Sequence, residues 1–66
     1  MEKYIQPKIY IKWTEHGTEH KTPLCYTVSP DGYSDTWVAY RIQYKIHDKL
    51  KFERIIVPKY HTICHV

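Results

Sequence analysis

Five histidines and two cysteines have the widest chemical reach of any residues in this chain. Metal binding is the first chemistry they suggest. His16-x3-His20 forms one pair, His61-x2-Cys64-His65 forms a second group, and Cys25 stands in reserve. Zinc takes histidine nitrogen and cysteine thiolate in tetrahedral sets, so two residues from each segment can in principle complete a site. The spacing argues against it. In a regular strand His61 and Cys64 point to opposite faces, and there is no Cys-x2-Cys knuckle. The simpler reading makes His16 and His20 solvated loop residues and Cys64 a small buried hydrophobe. No metal and no cofactor is assigned, and His16, His20, His61 and Cys64 stand as the ligand candidates.

Nucleophilic catalysis is the second chemistry. Cys25 or Cys64 beside a histidine, oriented by Asp31, Asp35 or Asp48, has the residue types of a nucleophile–base pair. Any chain with five histidines offers such combinations. No Gly-rich phosphate loop, nucleophile elbow or His-Glu-x-x-His accompanies them. Sixty-six residues also leave little room for a pocket that excludes water. The expectation is a protein that is not an enzyme.

Binding through an exposed sheet face is the third. In Trp37–Ile46 the residues Val38, Tyr40, Ile42, Tyr44 and Ile46 fall on every second position, with Trp37, Ala39, Arg41, Gln43 and Lys45 between them. Successive strand side chains point to opposite faces, so this reads as a strand with one buried and one basic, wet face. Trp37, Arg41, Gln43 and Lys45 are the candidate binding residues, joined by Tyr10 and Lys12 from a first strand. Lys51 and Glu53 are expected beside them from the strand after the next turn. Interleaved basic and aromatic groups can stack bases and track phosphates, and the same groups anchor protein interfaces. An ordinary solvated face with aggregation-blocking lysines explains most of the lysines but explains Trp37 poorly.

The elements that must position these residues are strands. Seven tyrosines, two tryptophans and a single alanine favour β structure over helix. The first strand is expected over Lys8–Trp13, reaching back towards Tyr4, with Ile9, Ile11 and Trp13 on one face. Residues 14–22 carry Thr-Glu-His twice around Gly17 and read as a hairpin loop with frayed ends. Leu24–Val28 is a second strand with Leu24, Tyr26 and Val28 facing inward, and Ser29-Pro30-Asp31-Gly32 has the composition of a turn. After Trp37–Ile46 comes a turn at His47–Lys49, then a strand over Leu50–Val57 whose alternation slips. A β-bulge near Glu53-Arg54 restores the pattern; a short helix near 48–56, capped by Asp48, is the rival. Pro58-Lys59 turns into a last strand over Tyr60–Val66. The result is a five-stranded antiparallel meander, closed as a small barrel or curled sheet, with the length and strand count of an SH3-like barrel.

Length and charge bound the rest. Sixty-six residues make a single small domain with a thin stability margin, for which self-association is a common support. The formal charge of +3 is mild, with only Arg41 and Arg54 as arginines. It suits acidic partners without the dense basic stripe of a nucleic-acid binder. No apolar run is long enough to span a membrane, and the first residues lack the apolar segment of a signal peptide. A cytoplasmic protein with two reduced thiols is expected, with a Cys25–Cys64 disulfide as the alternative in an oxidising compartment.

These readings converge on a non-enzymatic module that docks on a larger protein partner and regulates or inhibits it, as compact accessory proteins of viruses and mobile elements do. A small basic nucleic-acid-binding domain and a structural homo-oligomer, such as a homodimer, are the alternatives.

Overall fold

The computed structural model describes residues 6–66, which form one antiparallel sheet and no helix. The all-β expectation holds; Tyr4 lies outside the described residues. Six segments are strands: β1 (Ile9–Glu15), β2 (Thr18–Lys21), β3 (Cys25–Tyr33), β4 (Trp37–Ile46), β5 (Lys49–Pro58) and β6 (Thr62–His65). Pairing runs β2-β1-β3-β4-β5, with β6 also on β1. β1 meets β6 through Ile9–Lys12, β3 through Ile9 and β2 through Lys12–Glu15. A strand has two edges, so β6 takes one, and β2 and β3 share the other end to end. The sheet is five strands wide although the chain supplies six segments. The extra segment arises because 18–21 pairs fully with β1 instead of fraying.

Connectivity makes this sheet curl. β5 and β6 lie at opposite margins, yet only Lys59, Tyr60 and His61 join them. Across a flat sheet of this width the margins would stand about 19 Å apart. The link reaches at most about 14 Å. The margins must therefore bend towards each other, and the concave face so formed holds the core. Ile11, Cys25, Tyr40, Ile42, Tyr44 and Val57 are buried there, with Trp13, Val28, Val38 and Ile55 packed against them. The alternation of β4 is as expected from Tyr40 to Tyr44, whereas Ala39, on the outer side, is fully buried instead of exposed. Ile46 also departs from the alternation and is 42% exposed, because β3 has no partner for β4 beyond Cys25↔Tyr44.

Two hairpins hold the register. His16 and Gly17 have φ of 52° and 77°, and His47 and Asp48 have 51° and 64°. Positive φ at both central residues is the two-residue type I′ turn, whose twist matches that of the flanking strands. From the second turn, β4 and β5 pair without a break from Ile46↔Lys49 to Trp37↔Pro58. Neither the helix near 48–56 nor the bulge near Glu53-Arg54 forms. The slip in apolar pattern has another cause: β5 carries apolar groups on both faces. Ile55 and Val57 enter the core, while Leu50, Phe52 and Ile56 point outward.

The irregular strand is β3. Its register shifts between Cys25 and Thr27 and again between Pro30 and Tyr33. The first shift inserts Tyr26, so Cys25 and Val28 both face the core, and Leu24 stays 43% exposed. This corrects the expected inward set of Leu24, Tyr26 and Val28. Ser29–Gly32 is no turn, since β3 runs through it. Past Cys25 this strand pairs only with β4 among the described residues. Pro30 therefore sits at an edge, where its missing N–H costs no ladder bond. The chain reverses at 34–36, where Ser34 N–H donates to Trp37 O at 2.8 Å. The last strand is shorter than Tyr60–Val66, because 59–61 make the link to β6.

One side-chain bond closes the curl. His61 Nδ1 lies 2.7 Å from Pro58 O, and His61 Nε2 lies 2.7 Å from the Tyr40 hydroxyl. A carbonyl oxygen only accepts, so Nδ1 carries the proton, and in the neutral ring Nε2 accepts from Tyr40. The rings meet edge to face at 5.2 Å. Tyr40→Phe is expected to lower stability by about 1–2 kcal/mol, because the bond is lost and Nε2 is left half-buried without a donor. Urea melts followed by circular dichroism measure this, and an unchanged midpoint would show that the bond contributes nothing. By the same assay Ile42→Ala, at a site 3% exposed, should cost about 2–5 kcal/mol. The outward Ile56→Ala should cost under about 0.5 kcal/mol.

Candidate functional site

The outer face of β3, β4 and β5 gathers most of the candidate binding residues. The β4 row is Trp37, Ala39, Arg41, Gln43 and Lys45, and opposite them on β5 stand Pro58, Ile56, Arg54, Phe52 and Leu50. On β3, Ser29 faces Arg41, and Thr27 faces Gln43 with its hydroxyl 3.3 Å from Oε1. Type I′ geometry at His47-Asp48 sets this alignment, because it fixes which β5 residue opposes each β4 residue. A shallow depression forms between Thr27, Ser29, Arg41, Gln43, Phe52 and Arg54.

Charge on this face is organised by one carboxylate. Asp31 Oδ2 accepts from Arg54 Nε at 2.8 Å, and Asp31 Oδ1 lies 3.3 Å from Arg41 Nε. The second bulge of β3 carries Asp31 to this position, between two guanidiniums that would otherwise repel across Arg41↔Arg54. The hydrogen bond from Arg54, helped by Arg41, holds the Asp31 carboxyl below its ordinary pKa. One of the two positive charges remains uncompensated, and Lys45 adds another. Across the whole β4–β5 hairpin, Arg41, Lys45, Lys49, Lys51 and Arg54 oppose Asp48 and Glu53. That net +3 equals the formal charge of the entire chain.

Beside this charge lies an apolar row. Leu50, Phe52 and Ile56 are 47%, 75% and 54% exposed on one face of a margin strand. Reading the sequence alone turned Leu50 and Phe52 inward. The available signal was the two-residue turn, which sets the parity of β5 once Ile46 and Lys49 are recognised as partners.

Other candidates are placed elsewhere. Trp37 is half-buried beside Pro58, Ile56 and Tyr60, so it supports the edge of the face rather than standing out from it. Lys51 and Glu53 belong to the opposite face, since they pair with the inward Tyr44 and Ile42. The Tyr44 hydroxyl donates to Glu53 Oε1 at 2.6 Å, and that bond raises the tyrosine's pKa. Tyr10 and Lys12 lie on the outer side of β1, opposite Cys64 and Thr62. There the neighbouring Cys64 raises the Tyr10 pKa. They are not brought to the Arg41 face, because β1 touches β3 only at Ile9↔Cys25.

The histidines and cysteines are dispersed. His16 is in a turn, His20 stacks on Trp13 with ring centroids 5.5 Å apart, and His61 is engaged by Tyr40. Among the described residues no three His, Cys, Asp or Glu side chains cluster to hold a metal ion. Cys25 is fully buried, and burial pushes its thiol pKa up. Cys64 is half-buried and belongs to the outward row with Tyr10, so the two sulfurs lie on opposite faces and both are free. Cys25, not Cys64, is the small buried hydrophobe.

Comparison with known proteins finds no matching family model, no similar curated protein and no similar solved structure.

Asp31 supplies a pH test of the face. Its folded-state pKa is lowered, so its contribution to stability is present above the unfolded value, about 3.9, and is lost as pH falls through the folded value. Asp31→Asn should therefore be less stable than wild type at neutral pH, with the gap closing in acid. Urea midpoints from pH 7 down to pH 2.5 measure it. A gap that persists in acid would mean that the loss comes from β3 geometry and not from charge.

Proposed function

We propose that the chain is a non-enzymatic docking module that binds an acidic, apolar-centred surface of a larger protein partner and thereby regulates or inhibits it. The observation that carries this reading is the exposed row of Leu50, Phe52 and Ile56 beside Arg41, Arg54 and Lys45. Single exposed apolar side chains are ordinary, but Leu50 and Phe52 are neighbours on this face of a margin strand, with Ile56 just beyond Arg54, and such exposed apolar groups among charged ones mark interaction sites. Aromatic and arginine side chains are the usual anchors in such patches. The partner's chemistry follows from charge. A hairpin holding the whole +3 of the chain steers towards acidic surfaces and is repelled by basic ones. Two free thiols fit a reducing, cytoplasmic setting. The same basic hairpin, with Phe52 as a stacking platform, also suits single-stranded nucleic acid. The two differ in salt response, because phosphate contacts release counterions steeply.

The test compares wild type with Lys45→Glu and Ile56→Asp in quantitative pull-downs from nuclease-treated host lysate. Both positions are exposed, so melting temperature should hold while capture of a defined protein falls by about tenfold or more. Equal capture by all three proteins would remove this face from the interaction. Tight binding of a fluorescent single-stranded oligonucleotide, lost between about 50 and 200 mM salt, would assign the face to nucleic acid instead.

A further inference from the structure

We infer that the free edge of β5 pairs antiparallel with the β5 edge of a second copy, with Phe52 on the two-fold axis. β5 has ten residues and pairs with β4 alone; among the described residues no strand pairs with its other edge. Long, regular, partly apolar edges are templates for further strand pairing unless a proline, a bulge, a cover or unmatched charge blocks them. Here Pro58 comes only at the end, and the register holds no bulge.

The backbone decides which residues present hydrogen-bonding groups to that edge. The turn at His47-Asp48 joins Ile46 and Lys49 by its own hydrogen bond. Bonding alternates along an antiparallel pair, so the odd-numbered residues of β5 bond to β4. Leu50, Phe52, Arg54 and Ile56 therefore aim their N–H and C=O groups outward. A two-fold axis on Phe52 sets Phe52 opposite Phe52 of the second copy and Leu50 opposite Arg54 on both sides. These are all hydrogen-bonded pairs.

Charge complementarity selects this register. Centred on Phe52, Lys51 of each copy stands opposite Glu53 of the other, in the closer non-hydrogen-bonded pairs. Glu53 has Oε1 on the Tyr44 hydroxyl, which leaves Oε2 for the second copy's lysine. Lys51 takes part in neither of the two salt bridges among the described residues. Neighbouring registers fail. Centring on Leu50 opposes Lys49 to Lys51; centring on Lys51, Glu53 or Arg54 opposes each to itself. Centring on Ile55 or beyond brings Pro58, which has no N–H, into a bonding position. Like charges directly opposite destabilise a strand pair and opposite charges stabilise it. An isologous contact of this kind closes on itself and stops at two copies. It leaves the outer face open and sets two Phe52 rings side by side at its centre.

A strand-to-strand contact is small, so the equilibrium is weak. Analytical ultracentrifugation from roughly 10 µM to 1 mM, at about 0.15 M salt to screen the repulsion between two basic chains, reads it. Wild type should pass from monomer to dimer and no further. Lys51→Glu should weaken the dimer by about tenfold or more, and adding Glu53→Lys should restore it to within about threefold, since the pairs are then reversed. A second readout avoids Glu53. In a Cys64→Ser background, Phe52→Cys should form a disulfide-linked dimer on mild oxidation, because opposed Cα atoms lie about 5.5 Å apart. Leu50→Cys should not, because the two thiols then lie about 13 Å apart. Phe52 and Leu50 are both exposed, so neither change disturbs the core. A wild type that stays monomeric at 1 mM overturns the inference. So does a dimer indifferent to Lys51→Glu, or one in which Leu50→Cys cross-links as readily as Phe52→Cys.

Discussion

The bond from the Tyr40 hydroxyl to His61 Nε2 sits where this molecule's main constraint is met. Among the described residues the sheet has one core face and no second layer to cover it, so it must cover itself. β4 supplies the spine, with Tyr40, Ile42 and Tyr44 in one buried row. β1 brings Ile11 and β5 brings Val57 onto that row only if the two margins bend inward. The short link between β5 and β6 forces the bend, and His61, held by Pro58 O and Tyr40, fastens it. Tyrosine suits this role because its ring fills the concave face while its hydroxyl still finds a partner. Tyr44 does the same with Glu53 at the open end.

Curling has a cost, which is the margin it cannot close. β5 and β6 approach through their connection but do not pair. Towards the hairpin tip β5 runs on past the rest of the sheet, and the molecule measures 45 × 24 × 20 Å. Apolar side chains on both faces of a margin strand are unfavourable in an isolated monomer. They fit the proposed reading, in which one face belongs to the core and the other meets a partner. Asp31 fits the same logic. A lone carboxylate held by Arg41 and Arg54 lets two arginines occupy facing positions without repulsion and fixes where their guanidiniums point.

Much of the architecture was legible from residue types. Strict alternation in Trp37–Tyr44 assigned the faces of β4, and the glycine at position 17 marked the first hairpin. Both signals are local: a side-chain period of two and a positive φ need no tertiary context. At β5 the same reasoning failed, because it assumed that all large apolar groups seek one face. That assumption led to a bulge or a helix and moved Lys51 to the wrong side.

The sequence by itself determined an all-β chain with short turns, a buried row on β4 and a basic row behind it. These follow from side-chain size, branching and charge acting over a few residues. Only the tertiary structure decided that Pro30 lies within a strand, since that depends on which edge lacks a neighbour. Pairing across the sheet likewise decided that Asp31 joins Arg54, that His61 meets Tyr40 and that the two cysteines face apart. Each of these contacts links residues distant in the chain, and its existence depends on register and curvature, which no local pattern encodes.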